Sequence, residues 1–177
     1  MSQAFTTKWE GRARALITDV GISLPFIGTL HDMSDIRILK CHGIWDTGAT
    51  NSVITQKVVD NLGLQPTGKA EVHGVHGKAE ADTFLVNVFL PNNVGIQAVT
   101  VTKAFVTGAD VLVGMDIIGF GDFCVTNVGG MTALTFRTPS GRDIDFVKEI
   151  EVEKLPRSER RDLARQQVKK LRTVNTR

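Results

Sequence analysis

Asp46-Thr47-Gly48-Ala49-Thr50 is the stretch of this chain whose residue types could do chemistry. Apolar Ile44-Trp45 leads into it, and a second apolar run, Val111-Leu112-Val113-Gly114-Met115-Asp116, follows much later. A carboxylate carried to the end of a buried strand, followed by a hydroxyl and a glycine, is what acid–base activation of a water molecule requires. Gly48 allows a close backbone approach that leaves amides free to donate to that carboxylate. The chain contains a single Asp-Thr-Gly and no internal repeat, so a mechanism using two such carboxylates needs two copies of the chain.

Other residues offer less. His73 and His76 lie three apart on an extended segment, which points them to opposite faces, and no third ligand is near, so no metal site is expected. Cys41 and Cys124 have no close-spaced partners, which indicates neither a disulfide framework nor a cysteine zinc site. Reduced thiols, the lack of an apolar leader over Met1 to Trp9 and the lack of a bilayer-length apolar run give the expectation of a cytoplasmic protein without a membrane anchor.

The elements that must position Asp46 can be traced from the pattern. Seventeen glycines, abundant Val, Ile and Thr, and short apolar runs predict a mostly β domain with many turns. Ala13 to Pro25 opens it with one or two strands, Gly28 to Ser34 reads as a loop, and Ile36 to Trp45 is a strand ending at Asp46. Thr55 is placed to cap a short helix running to Asn61 or Leu62, with Val58, Val59 and Leu62 on one face and Gly63 as its left-handed stop. Glu71 to Lys78 is a glycine-punctuated hairpin, and Ala79 to Leu90 returns with Phe84, Val86, Val88 and Leu90 alternating. Pro91-Asn92-Asn93 is a turn, and Ile96 to Thr102 alternates again. Val111 to Gly114 is a strand, Asp116 to Ile118 a helical turn, and Asp122 to Thr126 and Met131 to Arg137 are further strands. Ile144 to Val147 reads as a last strand. Beyond Pro156, with Ser158 as N-cap, Glu159 to Leu171 reads as a helix.

On these residues, the Asp46-Thr47-Gly48-Ala49-Thr50 segment, the glycine hairpin and the Val111 to Asp116 run, the chain resembles the retropepsin-like aspartic proteases. These are the single-domain, homodimeric branch of the pepsin-like clan. The resemblance covers about Ala13 to Arg137. It implies a closed retropepsin-like acid-protease β-barrel with short helices, followed here by a basic, helical C-terminal tail. The expected division of the chain is a protease-like domain over 1–147 and a basic helical extension over 148–177, which the resemblance does not cover. The resemblance further implies a homodimeric aspartic endopeptidase acting on protein or peptide substrates, with Asp46 of each chain as the catalytic residue and no cofactor. Thr47, Gly48 and Ala49 would organise the pair of carboxylates, with the Thr47 hydroxyl bonding across the dimer axis. His73, Gly74, Val75, His76 and Gly77 would form the flap over the substrate, with Val75 and His76 at its tip. Asp116 would cap the short helix it begins. Trp45 departs from the pattern, being bulkier than the aliphatic residue expected before the aspartate. So do the Gly28 to Ser34 insertion and the thirty residues after Val147, which put a dimer sheet built from both termini in doubt.

The competing expectation is a catalytically silent dimerisation or peptide-binding module on the same fold. Charge adds a third. Residues 148–177 carry a net +5 and residues 1–147 a net −3, so the basic character belongs to the tail. That tail has no aromatic residue for stacking and interleaves Glu159 and Asp162, which favours a solvated or docked helix over a nucleic-acid interface.

Overall fold

In a computed structural model the described residues are 2–26, 36–74, 77–92 and 94–162. Strand-forming residues dominate, and ten strands result: β1 (Gln3–Lys8), β2 (Ile17–Ser23), β3 (Leu39–Trp45), β4 (Val53–Ile54), β5 (Gly68–Gly74), β6 (Gly77–Leu90), β7 (Val94–Lys103), β8 (Val111–Val113), β9 (Asp122–Thr126) and β10 (Ala133–Thr138). Among the described residues α1 (Gln56–Leu62) and α2 (Met115–Ile118) connect strands, and α3 (Phe146–Lys154) follows β10. Residues 1–141 form one compact unit and residues 142–177 another.

Seven strands make one sheet in the order β2-β3-β8-β4-β7-β6-β5, and β6 also pairs with β2, so the pairings return to their starting strand. The long β6–β7 ladder explains why alternation was legible there: Phe84, Val86, Val88 and Leu90 are all buried, and Val99 and Val101 face them from β7. The ladder slips once between Val86 and Val88. Buried Asn87 sits at the slip and accepts from the Ala98 N–H at 2.9 Å, which satisfies a backbone donor that the ladder leaves free.

A second sheet, β1-β10-β9, is antiparallel throughout. Trp45 at the end of β3 links the two sheets. Its ring stacks on Phe123 of β9 at 5.5 Å and meets Phe136 at 5.4 Å and Phe5 at 5.8 Å. Its indole N–H donates to Thr18 Oγ1 at 2.9 Å, so the one polar atom of the ring is satisfied inside the core. The unexpected bulk before Asp46 is thus accounted for: it fills the space between two sheets.

Several expectations need correction. β1 at Gln3–Lys8 went unread, because only Phe5 of that strand is buried and its alternation is faint. Thr55 does precede α1, and Gly63 adopts φ 63° as its left-handed stop, but the Thr55 side chain makes no cap bond. Its buried hydroxyl has no hydrogen-bond partner among the described residues. Ile144 to Val147 is not a strand. Asp145 accepts from the N–H groups of Val147 at 3.0 Å and Lys148 at 3.2 Å and starts α3, a local cap that outweighs the β-branched composition. Ser158 is not an N-cap either, since the next helical turn already includes Arg157 and is closed by Arg160 N–H donating to the Pro156 carbonyl. The Gly28 to Ser34 loop and the tail beyond Asp162 lie outside the described residues.

Candidate active site

Asp46 stands where β3 ends. Its N–H donates to the Val113 carbonyl at 3.0 Å, continuing the parallel β3–β8 ladder by one bond before the chain turns away. Asp46 as a residue is half-buried, and its Oδ1 accepts from the Gly48 N–H at 2.8 Å. A Cβ on Gly48 would sit 3.1 Å from that same oxygen, so a glycine keeps the amide close without crowding the acid. The Ala49 N–H donates to the Asp46 carbonyl at 3.3 Å and closes the turn. Thr47 and Gly48 are exposed at its tip, and Ala49 is half-buried.

The turn is held from below. β8 is inserted between β3 and β4, the two strands that the Asp46 loop connects. The chain leaving β8 then bonds to the loop twice: Met115 N–H donates to the Ala49 carbonyl at 2.8 Å and Asp116 N–H to the Thr50 carbonyl at 3.1 Å. The approach is tight enough to require Gly114. A Cβ there would lie 2.7 Å from the carbonyl carbon and oxygen of Asn51 and 3.0 Å from the Ala49 carbonyl oxygen.

Ser52, which the sequence reading missed, is the centre of this support. It is fully buried; its Oγ accepts from the Gly114 N–H at 3.0 Å and donates to Asp116 Oδ1 at 2.7 Å. The Ser52 N–H donates to Asp116 Oδ2 at 2.9 Å, and the Ile117 N–H adds a third bond to Asp116 at 2.9 Å. Asp116 is therefore structural, as expected, but not as the cap: Gly114 holds the N-cap position, and Asp116 instead clamps the loop through Ser52. A single serine among turn residues carries no pattern, so only the fold could reveal it.

The hairpin forms where expected. β5 and β6 pair down to His73 opposite Lys78 and Gly74 opposite Gly77. Gly77 has φ 109°, a conformation that favours glycine. Val75 and His76 lie outside the described residues; the structure brings Asp46, Thr47, Gly48 and Ala49 together with β8 and α2. Cavities of about 510 Å³, beside Asp19, His42 and Phe89, and about 490 Å³, beside Lys57, Phe105 and Asp110, are not lined by Asp46.

Among the described residues no group of three or more His, Cys, Asp or Glu is placed to hold a metal, and no helix is long and apolar enough to cross a membrane. Both cysteines are free. Burial, then the Asp110 charge, pushes the Cys41 thiol up to about 11, against a smaller opposing pull from Lys57. Asp110 itself is held below the usual carboxylate range. Burial opposes this but is outweighed by the bonds from Lys57 Nζ at 2.9 Å and the His42 N–H at 3.2 Å.

Residues 39–119 match the family described as "gag-polyprotein putative aspartyl protease". No curated protein matches the chain. Among solved structures, a retropepsin-like aspartic protease from Rickettsia conorii is 14% identical with a TM-score of 0.48, over 78% of this chain and 96% of that one. EIAV protease complexed with the inhibitor HBY-793 is 21% identical with a TM-score of 0.42, over 60% of this chain and 86% of that one. The simian foamy virus (mac) protease is 13% identical with a TM-score of 0.38, over 58% and 93%. The matched segment is the one that holds Asp46, Ser52, β8 and α2, and through it this chain resembles the retropepsin-like aspartic proteases.

Proposed function

We propose that this protein is an aspartic endopeptidase that works as a homodimer, hydrolysing peptide bonds with a water activated between two Asp46 carboxylates. The observation that carries the reading is the Asp46 loop itself: a carboxylate at a strand end, held by the Gly48 amide and braced from below by β8 and the Ser52–Asp116 clamp. Such bracing fixes one acid in place, which a surface turn does not need. We read the circuit of pairings from β2 through β6 as a closed barrel, and residues 148–177 as an appendage to it.

One Asp46 per chain supplies half the chemistry. Two carboxylates brought together across a two-fold axis cannot both ionise easily and hold one proton between them. The ionised member takes a proton from water as its oxygen attacks the scissile carbonyl carbon. The protonated member stabilises the developing oxyanion. As the tetrahedral intermediate collapses, a proton passes to the leaving nitrogen and the carbon–nitrogen bond breaks. Thr47, exposed at the loop tip, would bond across the axis, while Gly48 and Ala49 would shape the turn. His73, Gly74, Val75, His76 and Gly77 would close over an extended substrate and exclude water. The residues assign no role to a cofactor.

The test is cleavage of a denatured protein mixture between about pH 4 and 8, the range in which paired carboxylates share a proton. The wild type should cleave, with inhibition by a statine-type peptide and none by a chelator, and Asp46→Asn should be inert. Cleavage that survives Asp46→Asn removes this reading. A silent wild type that still binds extended peptides supports the alternative, a non-catalytic binding module.

A further inference from the structure

β8 carries the acid loop from behind, yet it is only three residues long. It pairs with β3 through Gly43, Ile44 and Trp45, and with β4 through Val53 and Ile54. So short a ladder fixes its register weakly. A slip of one residue would turn buried Val111 and Val113 to the other face and move Gly114 about 3.3 Å along the strand. The acid loop would move with it, because the Asp46 N–H is bonded to the Val113 carbonyl and the Ala49 carbonyl to the Met115 N–H. Gly114 and the Ser52–Asp116 clamp hold the exit of β8. Its entrance needs an anchor of its own.

Asp110, the residue before β8, makes four bonds there. Its N–H donates to the His42 carbonyl at 2.8 Å, and its carbonyl accepts from the Thr55 N–H at 3.0 Å. Its Oδ2 accepts from the His42 N–H at 3.2 Å and its Oδ1 from Lys57 Nζ at 2.9 Å. His42 belongs to β3 and Thr55 directly follows β4, so one residue is tied to both strands between which β8 is inserted. The two side-chain bonds are unequal. The Lys57 side chain is 70% exposed, so its ion pair is screened by water and adds little. The Asp110 side chain is 16% exposed, and its carboxylate gives the His42 amide a charge-assisted acceptor.

We infer that Asp110 is a positioning residue for catalysis: it fixes the entry of β8 between β3 and β4 and so sets the place of the Asp46 loop at the strand's other end. This role rests on the aspartic protease reading. The coupling runs along the backbone, from Asp110 through Val111, Leu112 and Val113 to the Asp46 N–H. The part of Asp110 that matters is the oxygen facing the His42 amide, and Lys57 is dispensable. Without that oxygen the entering end keeps only its two main-chain bonds, and the strand is free to tilt about the tight contact at Gly114.

The test compares full-length variants by peptide cleavage, with rates expressed per folded enzyme. Asp110→Ala should lower kcat on the order of ten- to a hundredfold with KM within about threefold, since a misplaced acid loses transition-state rather than ground-state interactions. Lys57→Met should stay within about threefold of wild type in both constants. Asp110→Asn combined with Lys57→Met keeps an oxygen for the His42 amide and should recover most of kcat. Hydrogen exchange supplies a readout that needs no activity. In Asp110→Ala the Asp46 and Met115 amides should exchange on the order of tenfold faster while those of the β6–β7 ladder keep their wild-type rates. Three results overturn the role of Asp110 and leave the protease reading standing: an Asp110→Ala kcat equal to wild type, exchange that rises uniformly across both ladders, or an asparagine variant as slow as the alanine one. A wild type without Asp46-dependent cleavage overturns both.

Discussion

Replacing Ser52 with alanine removes one oxygen on which two buried groups depend. The Gly114 N–H, which donates to Ser52 Oγ in a buried site, loses its acceptor. An orphaned buried amide costs about 1–3 kcal/mol. Asp116 loses one of three donors, keeping those of Ser52 N–H and Ile117 N–H, a further loss of about 1 kcal/mol. Together the expected destabilisation is about 2–4 kcal/mol, against about 0.5 kcal/mol for an exposed serine. Urea unfolding at fixed protein concentration reads it as a lower midpoint with an unchanged slope. Activity should fall more than stability implies. The clamp holds Asn51 and Thr50, and a shift of about 1 Å in the loop reduces turnover on the order of a hundredfold. The double variant Ser52→Ala/Asp116→Asn should be less damaging than the sum of the two singles, because each breaks the same bond. A Ser52→Ala protein within about 0.5 kcal/mol of wild type, cleaving at the same rate, would refute the idea that this clamp positions the acid.

Gly114→Ala should be worse than an ordinary overpacked site, because the new methyl meets backbone of Asn51 and Ala49 rather than a movable side chain; a loss of about 1–3 kcal/mol and of most activity is expected by unfolding and peptide cleavage. Trp45→Phe leaves the aromatic cluster but removes the indole N–H bonded to Thr18, and should lower stability by about 1–3 kcal/mol in the same assay. Asp122 is held down at about 2, chiefly by the Ser140 hydroxyl, with burial opposing and the Gly141 N–H and Arg137 assisting. Its folded value lies below the ordinary 3.8, so its ionised form stabilises the fold. That contribution is complete above about pH 4 and is lost as pH falls towards 2, and Asp122→Asn should flatten this part of an acid-unfolding curve. In the native protein a thiol reagent at mildly alkaline pH should modify Cys124 well before Cys41; equal rates would mean that Cys41 is not buried as described.

The parts of this fold that were legible share a strong local signal. The Phe84 to Leu90 alternation, Gly63 after α1 and the apolar run into Gly114 each state their structure in adjacent residues. The Asp46 loop was legible for the same reason. Ser52 was not, because its role comes from partners sixty-two and sixty-four positions away. β1 was missed since only Phe5 reaches the core, and its pairing with β10 joins residues about 125–135 positions apart in the chain. Trp45 looked anomalous until its three aromatic neighbours, drawn from β1, β9 and β10, explained its size. At Ile144 to Val147 propensity pointed one way and the Asp145 cap another, and the two bonds made by the cap prevailed.

Subunit mixing tests the claim of a shared acid pair most directly. Wild-type protein at fixed concentration is equilibrated with an equal amount of Asp46→Asn, and peptide cleavage is followed. If each site takes one carboxylate from each chain, mixed dimers are inert and activity falls to about half, declining further as the variant is added in excess. Activity that stays at the wild-type level at every ratio, with exchange between copies verified, would mean that one Asp46 suffices and would contradict the account.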